Sequence, residues 1–462
     1  MADRDLSAGD VAVVLASIVA AVAVTLVTAL LPLGFGGFMP PPIKPKKPPV
    51  TGVSPAKSAK DFTSSVCVNA HWDYTDTPYY SDYATLKAAL LDLHVTCARG
   101  HYKPGASWHT ARLNDLAGSG IKHSLIMDHE YWDSAADIAE ADANLDGVVS
   151  TAEAVDNLME NAPDAILALE GPNEELWDAG ECAATLQITQ EIWAAKQADS
   201  RYNGIPFIGP VAAWPTQYTC LGDISGITDG GNTHPYLSNL SPDATDAGSN
   251  WSAQGWLNNA RAAFGADAPI WASETGYHTA INETGTHEPV SETADAKYMS
   301  QLFFAFQRTG YEKVYKYELI DEFDNLDLDD DQSHFGLLRN DLSQKPSYVA
   351  LNRIMDLLYD GSQANLTPLD HTVANTPTTF RSYLLQKSDG SHWLAMWNDV
   401  SIWDETTAVD LNPADVTVTL NFPRAKSVDV YRPYSSGSPV SSATGTTVNV
   451  GINADVALVK IQ

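Results

Sequence analysis

Short apolar runs, each followed by polar residues and then by a longer amphipathic stretch, recur along the middle of the chain. This alternation constrains the fold more than any other feature. Such runs are typical of buried strands, and the stretches between them are long enough for helices. The eight runs are Ser65–Val68, Val95–Ala98, Ile121–Met127, Asp164–Leu169, Ile205–Val211, Gly231–Thr233, Ala268–Ser273 and Lys313–Tyr317.

Eight β-then-α units within about 300 residues predict an α/β protein with a (β/α)8 TIM barrel. In such a barrel the chemistry lies at the C-terminal ends of the strands. A doubly wound open sheet is the structural alternative. It fits less well, because its functional residues would gather at one switch point rather than follow nearly every strand.

The pattern changes towards the C-terminus. Short alternating runs separated by turns extend from Phe380 to Ile461 and predict a small all-β sandwich packed on the barrel. We therefore expect four parts. They are an N-terminal segment at 1–39, a proline-rich linker at 40–62, the barrel at 63–362 with an insertion at 133–160, and the sandwich at 363–462.

The overall charge excludes one class of partner. The chain has 58 acidic and 27 basic side chains, which give a formal net charge of -31. We expect no nucleic-acid partner, because binding to phosphates requires a basic surface. The 12 Trp and 19 Tyr would suit the apolar faces of sugar rings, although these residues are at least as common in protein cores.

The four cysteines have no metal-binding spacing. Their even number allows two disulfides in an oxidising compartment. Cys182 and Cys220 fall in predicted loops, and we expect them to pair. Cys67 and Cys97 lie in predicted strands and would equally suit buried free thiols.

Two glutamates follow two of the predicted strands. Glu174 comes after Gly171-Pro172-Asn173, where Gly-Pro ends the strand, and Glu274 directly follows Ser273. A double-displacement hydrolase of glycosidic bonds needs one protonated carboxyl to assist the leaving group and one ionised carboxyl to attack the sugar. The proton donor needs a raised pKa, which partial burial and the neighbouring charge would supply.

Three motifs around these glutamates resemble glycoside hydrolase clan A: Ala168–Glu174, His234-Pro235-Tyr236 and Trp271–Tyr277. The stretches Val68–Thr77 and His334–Asp341 are similar to bacterial proteins near glycoside hydrolase families 39 and 5. The resemblance covers about residues 63–360. It implies a retaining glycosidase with Glu174 as acid/base, Glu274 as nucleophile and no cofactor for catalysis.

The resemblance also implies a group of residues that contact the sugar. Asn173 would hold the sugar 2-hydroxyl, and His234 would belong to the same network. Arg99 is the cation that would hold the charge of Glu274, and Tyr236 would donate a hydrogen bond to it. The other expected contacts from these motifs are His71, Trp72 and Tyr277.

One stretch departs from the clan pattern. Clan members usually carry a Trp at the end of strand eight, whereas this chain has Tyr315-Lys316-Tyr317-Glu318. Glu318 is therefore expected to line the sugar site.

Residues 142–153 match the twelve-residue EF-hand loop, with Gly147 at the tight turn. A structural Ca²⁺ ion is expected there, although a solvated acidic turn is the simpler alternative. Flanking helices are expected at Ser134–Ala141 and Thr151–Met159. The ligands would be Asp142, Asn144, Asp146, the Val148 carbonyl, Ser150 and Glu153.

Residues 11–31 form an uncharged apolar run that is long enough to span a bilayer. Lys44, Lys46 and Lys47 follow it, and the positive-inside rule alone would place the C-terminal part in the cytoplasm. The cysteines and a carbohydrate substrate favour the outside. We expect an extracellular or cell-surface protein that this run exports as a signal peptide or holds as a membrane anchor, with the prolines at 40–49 as a stiff spacer.

The function that these patterns predict is a retaining glycosidase that acts on an oligo- or polysaccharide. A catalytically inactive carbohydrate-binding protein on the same barrel is the alternative. A calcium-sensing protein is a third class, and both the single EF-hand loop and the glutamate pair count against it.

Overall fold

The computed structural model describes residues 50–127, 150–244, 250–285 and 287–462. Its strands are β1 (Val50–Ser54), β2 (Lys57–Ser58), β3 (Val66–Asn69), β4 (Cys97–His101), β5 (Lys122–Ile126), β6 (Ile166–Glu170), β7 (Phe207–Ile208), β8 (Gly231–Thr233), β9 (Ile270–Thr275), β10 (Lys313–Lys316), β11 (Leu369–Ala374), β12 (Phe380–Gln386), β13 (His392–Asn398), β14 (Trp403–Asp404), β15 (Val409–Asp410), β16 (Val416–Arg432), β17 (Ser436–Ile452) and β18 (Ala457–Ile461). Its α-helices are α1 (Ala59–Ser65), α2 (Pro78–Ser81), α3 (Tyr83–Asp92), α4 (Ser107–Gly118), α5 (Thr151–Asn161), α6 (Ala179–Ala198), α7 (Ala253–Phe264), α8 (Glu292–Thr309) and α9 (Pro346–Leu358).

Strands β3 to β10 form a parallel barrel with the order β7-β6-β5-β4-β3-β10-β9-β8. The two end strands meet through backbone hydrogen bonds. Gly209 N–H donates to the Gly230 carbonyl at 3.0 Å, and Asp229 N–H donates to the Phe207 carbonyl at 2.8 Å. The predicted (β/α)8 barrel is confirmed.

Alternate strand residues fill the inside of the barrel. They form a buried cluster of their own, separate from the residues that pack outward against the helices. Because side chains alternate along a strand, Glu170 faces the same side as Ala168, at the C-terminal end of the interior. The cluster consists of Cys67, Cys97, Ala168, Ile208, Trp271 and Tyr315.

Local capping fixes where the helices start around the barrel. At α6, the Asp178 side chain accepts from the N–H groups of Gly180 and Glu181, while the Glu181 side chain accepts from the Asp178 N–H. This capping box satisfies backbone donors that a helix start leaves unpaired. Helix α8 begins after the N-cap Ser291 and ends at Gly310, whose φ of 116° suits glycine.

The C-terminal part is a sheet with the order β1-β11-β16-β18-β13-β12-β2, and β17 pairs with β16. The register between β16 and β17 shifts between Asn421 and Lys426. The two halves of β16 join different neighbours, β11 before the shift and β18 after it. Apolar residues from both halves share one core cluster, so the sheet encloses a sandwich-like core.

The linker ends earlier than the sequence led us to expect. Val50 pairs with Val373, and Ser58 pairs with Gln386, so residues 50–58 belong to the C-terminal sheet. The prolines at 49 and 55 concealed these strands, because proline is rare inside a strand. Pro55 lies between the two paired segments and takes part in neither.

The sheet packs on the barrel through aromatic side chains. Phe62 of α1 and Phe304 of α8 stack with ring centroids 4.6 Å apart, and Tyr383 of β12 contacts both rings. The buried Trp397 of β13 donates from Nε1 to Asp243 Oδ2 at 3.0 Å. The two parts therefore share a continuous core.

Both cysteine pairs form disulfides, Cys67–Cys97 and Cys182–Cys220. The second pairing is the predicted one, although Cys182 lies in the first turn of α6 rather than in a loop. The alternative of free thiols at Cys67 and Cys97 is wrong. These residues lie on neighbouring strands whose register brings them opposite each other inside the barrel.

The N-terminal predictions fall on residues that the structure does not describe. The apolar run 11–31 and the prolines at 40–49 both lie outside the described residues. Among the residues that are described, no helix is long and apolar enough to cross a membrane.

Candidate active site

The C-terminal end of the barrel opens into a pocket of about 370 Å³, within the usual size range of ligand sites. Arg99 of β4, Glu174 after β6 and Glu274 near the end of β9 all line it. Asn173, His234, Tyr236 and His71 line the same pocket. The structure thus brings together most of the side chains that the sequence singled out.

Arg99 organises the base of the pocket. Its guanidinium is 1% exposed, and Nε donates to both oxygens of Glu170 at 2.8 and 3.0 Å. Its Nη1 donates to Glu274 Oε1 at 2.6 Å and to Asn69 Oδ1 at 3.1 Å. Its Nη2 donates to Asn173 Oδ1 at 2.7 Å. We call Asn69, Arg99, Glu170, Asn173 and Glu274 the pocket floor.

The floor places one cation between two carboxylates. Burial lowers the pKa of Arg99, but the charges and hydrogen bonds of Glu170 and Glu274 outweigh burial and raise the pKa above its ordinary value. Arg99 is therefore permanently charged. A charge this deeply buried is tolerated because its partners are charged and hydrogen-bonded to it.

The sequence analysis did not identify Glu170 as part of the site. It is fully buried and also accepts hydrogen bonds from Ser124, at 2.8 Å, and from Asn232. One signal could have found it. Glu170 directly follows the predicted run Asp164–Leu169 and lies two residues after Ala168, so alternation places both side chains on one face, where a buried carboxylate needs a cation.

Glu274 is held at both oxygens. Oε1 accepts from Arg99, and Oε2 accepts from the Tyr236 hydroxyl at 2.7 Å. The side chain is 11% exposed, on the pocket side. Its two donors are thus one buried cation and one hydroxyl, and an ionised carboxylate in this position can attack an electrophilic carbon.

Glu174 is placed by its backbone. Its φ of 60° lies in the left-handed region, and its N–H donates to the Val211 carbonyl at 3.1 Å. Its Oε1 lies 2.6 Å from His234 Nδ1, while His234 Nε2 lies 3.0 Å from the Ser273 hydroxyl. The two ring nitrogens of His234 therefore face different partners, and an N–H at Nδ1 donates to Glu174.

The pKa of Glu174 departs from the sequence-based expectation. Burial raises this pKa, but the hydrogen bond and charge of His234, together with the charge of Arg99, outweigh burial and lower the pKa. Burial and the neighbouring charge of Glu274 alone predict a raised pKa, and the contact with His234 reverses the direction. The side chain keeps 35% of its surface exposed in the pocket.

The two carboxylates lie close together. One oxygen of Glu174, one oxygen of Glu274 and a ring nitrogen of His234 all lie within 4.8 Å of one another. This spacing is shorter than the separation of about 6.5–9.5 Å that accommodates a water molecule between two catalytic carboxyl groups.

Three expected sugar contacts do not line the pocket. Trp72 is buried and donates from Nε1 to His123 at 3.0 Å. Tyr277 is buried, donates to the Leu240 carbonyl at 2.8 Å and stacks on Tyr298. Both are structural groups beneath the rim of the barrel.

Glu318 is the third of these residues. It is fully buried behind the pocket wall, where it accepts from the Tyr79 hydroxyl at 2.7 Å. Tyr317 lines the pocket in its place. Its ring contacts His71, Tyr236 and Phe335.

Glu318 forms a buried acidic pair with Glu322. Burial raises the pKa of Glu318, and burial with the charges of Asp73 and Asp76 raises the pKa of Glu322 to about 8. His71 lies within 4.8 Å of both, and these are donor types that a divalent metal ion can use. The raised pKa values fit two carboxyl groups that share a proton, so we do not assign a metal here.

Most of the expected calcium ligands cannot be placed. Asp142, Asn144, Asp146 and Val148 lie outside the described residues, as does the expected helix Ser134–Ala141. Ser150 is the N-cap of α5, and its hydroxyl lies 2.8 Å from Glu153 Oε2. Helix α5 covers the predicted stretch Thr151–Met159 and continues to Asn161.

A second group of pocket residues was not foreseen from the sequence. Trp177, Trp214 and Trp251 line one side of the pocket opening, on the loops that follow β6, β7 and β8. The opposite side carries His71, Tyr74, His101 and Tyr317. No local pattern marks these tryptophans, since their proximity depends on how three separate loops fold.

Comparisons with known proteins agree on the architecture. No family model and no curated protein matches the sequence. A structure of a family 39 glycoside hydrolase from Bacteroides cellulosilyticus WH2 is similar with a TM-score of 0.59 and 14% identity, over 88% of this chain and 83% of that one. A glucosidase from Croceicoccus marinus has a TM-score of 0.56 and 12% identity, over 89% of this chain and 98% of that one.

A third similar structure is the family 39 glycoside hydrolase from Xanthomonas axonopodis pv. citri. It has a TM-score of 0.54 and 13% identity, over 92% of this chain and all (100%) of that one. Identities this low establish a common fold and no more. The chain therefore has the barrel-and-sheet fold of these glycoside hydrolases.

Proposed function

We propose that the protein is a retaining glycoside hydrolase that cleaves by double displacement. The observation that carries this proposal is the spacing of Glu174 and Glu274, whose nearer oxygens lie within 4.8 Å. Retaining glycosidases have carboxyl groups about 5–5.5 Å apart, and inverting ones about 6.5–9.5 Å apart.

In the first step, the ionised Glu274 attacks the anomeric carbon. The glycosidic C–O bond breaks, and Glu174 gives its proton to the departing oxygen. In the second step, a water molecule attacks the same carbon and gives a proton to Glu174, and Glu274 leaves as a carboxylate. Each step passes through an oxocarbenium-like transition state.

The floor explains how the two glutamates keep separate roles. Arg99 and Tyr236 together hold the charge on Glu274. The side-chain oxygen of Asn173 accepts a hydrogen bond from Arg99. Its amide N–H groups would therefore donate to the sugar 2-hydroxyl.

Glu174 starts with the wrong protonation state for an acid, because His234 lowers its pKa in the open pocket. A bound sugar would cover the exposed 35% of the side chain and remove water from it. Desolvation disfavours the charged form, so substrate binding itself would favour the protonated acid.

The first test is the stereochemistry of the product. Proton NMR of the first-formed sugar should show retained anomeric configuration, because two inversions occur at one carbon. An inverted product would overturn Glu274 as nucleophile. Binding of glycans without turnover would favour the inactive carbohydrate-binding alternative.

Substitution of the glutamates is the second test. Glu174→Gln should lower kcat/KM by about 10²–10⁴-fold on unactivated glycosides. It should lower the rate much less on a glycosyl fluoride, whose leaving group needs little proton donation. Glu274→Gln should inactivate the enzyme on both substrates. Glu160→Gln, an exposed change on α5, is the matched control and should leave both rates unchanged.

We also propose that the protein is extracellular or cell-surface, with residues 11–31 as its signal peptide or membrane anchor. Two disulfides in the described residues support this, because they persist in oxidising compartments. A fusion of residues 1–50 to a reporter should carry it to the outer face of the membrane. Retention of the reporter in the cytoplasm would contradict export.

A structural Ca²⁺ in the loop before α5 is our further proposal. Its ligands would be Asp142, Asn144, Asp146, the Val148 carbonyl, Ser150 and Glu153. The start of α5 at Thr151 supports it, because a helix follows an EF-hand loop at this position.

A further inference from the structure

Three tryptophan side chains stand partly exposed at one side of the pocket opening. Trp177 is 58% exposed and Trp251 is 44% exposed, while Trp214 between them is half-buried. The Trp214 ring meets Trp177 edge-on at 6.2 Å and Trp251 edge-on at 4.9 Å. We call these three residues the tryptophan wall. A cluster of exposed apolar rings on a surface as acidic as this one indicates a binding surface.

The wall lies on the same side of the pocket as Glu174. Trp177 follows Glu174 on the loop between β6 and α6, and Trp214 lies on the next loop along the barrel. The backbones of these two loops pair directly, through the bridge between Asn173 and Val211. A group that receives a proton from Glu174 therefore departs towards the tryptophans.

The loops of the wall are fixed in place. The disulfide Cys182–Cys220 ties the start of α6, just after Trp177, to the turn that follows Trp214. Trp177 and Trp214 are also held through their own backbone. Trp177 N–H donates to Glu181 at 2.9 Å, and Trp214 N–H donates to Gln217 at 2.8 Å.

The Trp251 ring packs against a buried aromatic ring. The buried Trp256 of α7 meets it edge-on at 6.2 Å. A surface that is ordered before its ligand arrives loses less entropy on binding. The disulfide Cys182–Cys220 keeps two of these loops in a fixed relative position.

We propose that the tryptophan wall binds the sugar unit on the leaving-group side of the cleaved bond. The substrate is then a neutral oligo- or polysaccharide rather than the glycoside of a small alcohol. This inference rests on the proposed role of Glu174 as the acid. Apolar C–H faces of a pyranose ring pack on aromatic rings, while its hydroxyl groups remain in water.

The charge of the pocket favours a neutral sugar. Among the described residues of the lining, Arg99 is the single Lys or Arg side chain. Its guanidinium already donates hydrogen bonds to Glu170, Glu274, Asn69 and Asn173. A uronic acid or a sulfated sugar would bring a negative charge to a protein of net charge -31 without a cation to receive it.

The experiment compares two kinds of substrate on the same variants. A glycosyl fluoride places no sugar on the leaving-group side, whereas a neutral trisaccharide does. The trisaccharides of glucose, xylose, mannose and galactose would be screened first, with trigalacturonic acid as the charged probe. The variants are Trp177→Ala, Trp214→Ala and Trp251→Ala.

Each variant should lower kcat/KM for the trisaccharide by roughly tenfold, mainly through a higher KM. The same variant should leave the glycosyl fluoride within about twofold of wild type, because the fluoride does not reach the wall. Trp108→Ala is the matched control, since Trp108 packs on Tyr80 and Arg112 outside the pocket lining. It should leave both substrates unchanged.

Equal losses on both substrates would overturn the proposal, because they would mean that the wall supports the fold or the catalytic groups. Unchanged trisaccharide kinetics in all three variants would overturn it as well, and so would efficient cleavage of trigalacturonic acid. Replacing both cysteines, Cys182→Ser with Cys220→Ser, should raise KM for the trisaccharide and spare the fluoride.

Calorimetry tests the role of the tryptophan wall in binding separately from the proposed retaining mechanism. Calorimetry of the inactive Glu274→Gln protein measures trisaccharide binding without turnover. Weaker binding in the tryptophan variants supports the wall even if the product has inverted configuration. Tight binding that the tryptophan variants retain overturns the wall even if the enzyme is a retaining glycosidase.

Discussion

The pocket floor and the tryptophan wall lie at the same end of one barrel, but they differ in burial and in what holds them. Arg99 is 1% exposed and Glu170 is fully buried, and ionic hydrogen bonds between side chains fix both. Trp177 keeps 58% of its surface exposed, and a capped helix and a disulfide fix its loop. The floor is thus fixed through its side chains, and the wall through its backbone.

This difference predicts what each region tolerates. A buried charge that loses its partner has no solvent to replace it, so changes on the floor should damage folding and chemistry together. A ring on a fixed loop can be removed without leaving a cavity or a charge behind. Changes in the wall should therefore affect the binding of extended substrates and little else.

The largest effect is expected from Arg99→Met. It leaves Glu170 and Glu274 buried without their cation, and removing one partner of a buried ion pair costs about 3–5 kcal/mol. Activity should be lost, because Glu274 would lose the hydrogen bond from Arg99 that positions its carboxylate. Thermal and urea unfolding would measure the loss of stability.

Arg201→Met is the matched control. Arg201 pairs with Asp156 and Asp199 at the protein surface, where solvent replaces the lost contacts. It should leave the melting temperature and activity close to those of wild type. Equal losses in the two variants would contradict the claim that the floor is held by buried charge.

Calcium removal should have the next largest effect. A ligand that binds the folded state alone stabilises it by about 2.7 kcal/mol when its free concentration is about 100 times Kd. Chelation should lower the melting temperature. The glycosyl fluoride and the trisaccharide should lose activity together, unlike the selective loss expected from the wall.

Glu153→Gln should abolish the calcium-dependent shift, and Glu160→Gln on the same helix should retain it. Glu153 is the expected bidentate ligand, whereas Glu160 lies in the last turn of α5, away from the loop. If chelation leaves the wild-type melting curve unchanged and calorimetry detects no calcium, residues 142–153 are an acidic turn.

The sequence predicted the floor better than the wall for a physical reason. Barrel strands reveal themselves by local periodicity, and polar residues after them must converge at one end. Arg99, Glu174 and Glu274 could be found in this way. The tryptophans of the wall lie on three loops whose mutual positions depend on long-range contacts that no local pattern encodes.

Side-chain direction accounts for the other errors. Glu170 was missed because the alternation of side chains was not counted along its strand. Glu318 was placed in the pocket because clan members carry a Trp at the end of strand eight, where this chain has a different sequence. The same counting would have placed Cys67 opposite Cys97, once β3 and β4 were taken as neighbours. The lowered pKa of Glu174 depended on the contact with His234, which a sequence does not provide.

A smaller, pH-dependent effect is expected at Glu322, behind the pocket. Burial first, and then the charges of Asp73 and Asp76, raise its pKa in the folded protein to about 8, from about 4.3 in an unfolded chain. A raised pKa means that the folded state prefers the protonated form. The contribution of the Glu322 carboxyl to the free energy of unfolding is complete below about pH 4.3, and it is lost as the pH rises through about 8.

Glu322→Gln keeps the shape and stays neutral, so its melting temperature should fall less than that of wild type between pH 5 and pH 9. The two curves should separate by a few °C at the alkaline end. The exposed Glu160→Gln should follow the wild-type curve. Parallel curves for Glu322→Gln and wild type would show that the buried pair does not share a proton.

The smallest effect concerns the pH profile of catalysis, through the contact between His234 and Glu174. His234 lowers the pKa of Glu174 through a 2.6 Å contact, and burial alone would raise that pKa. His234→Gln removes the ring and its charge, so the pKa of Glu174 should rise. Glu174 must be protonated to act as the proposed acid, so the alkaline limb of kcat/KM should move to higher pH in this variant.

In wild type, the alkaline limb of kcat should lie at higher pH than that of kcat/KM. The reason is that kcat reports the enzyme with sugar bound, whereas kcat/KM reports the enzyme with an open pocket. Trp177→Ala should not move the alkaline limb of kcat/KM for the glycosyl fluoride, since the wall does not touch the proton. If His234→Gln leaves the alkaline limb where it was, another group sets the protonation of the acid.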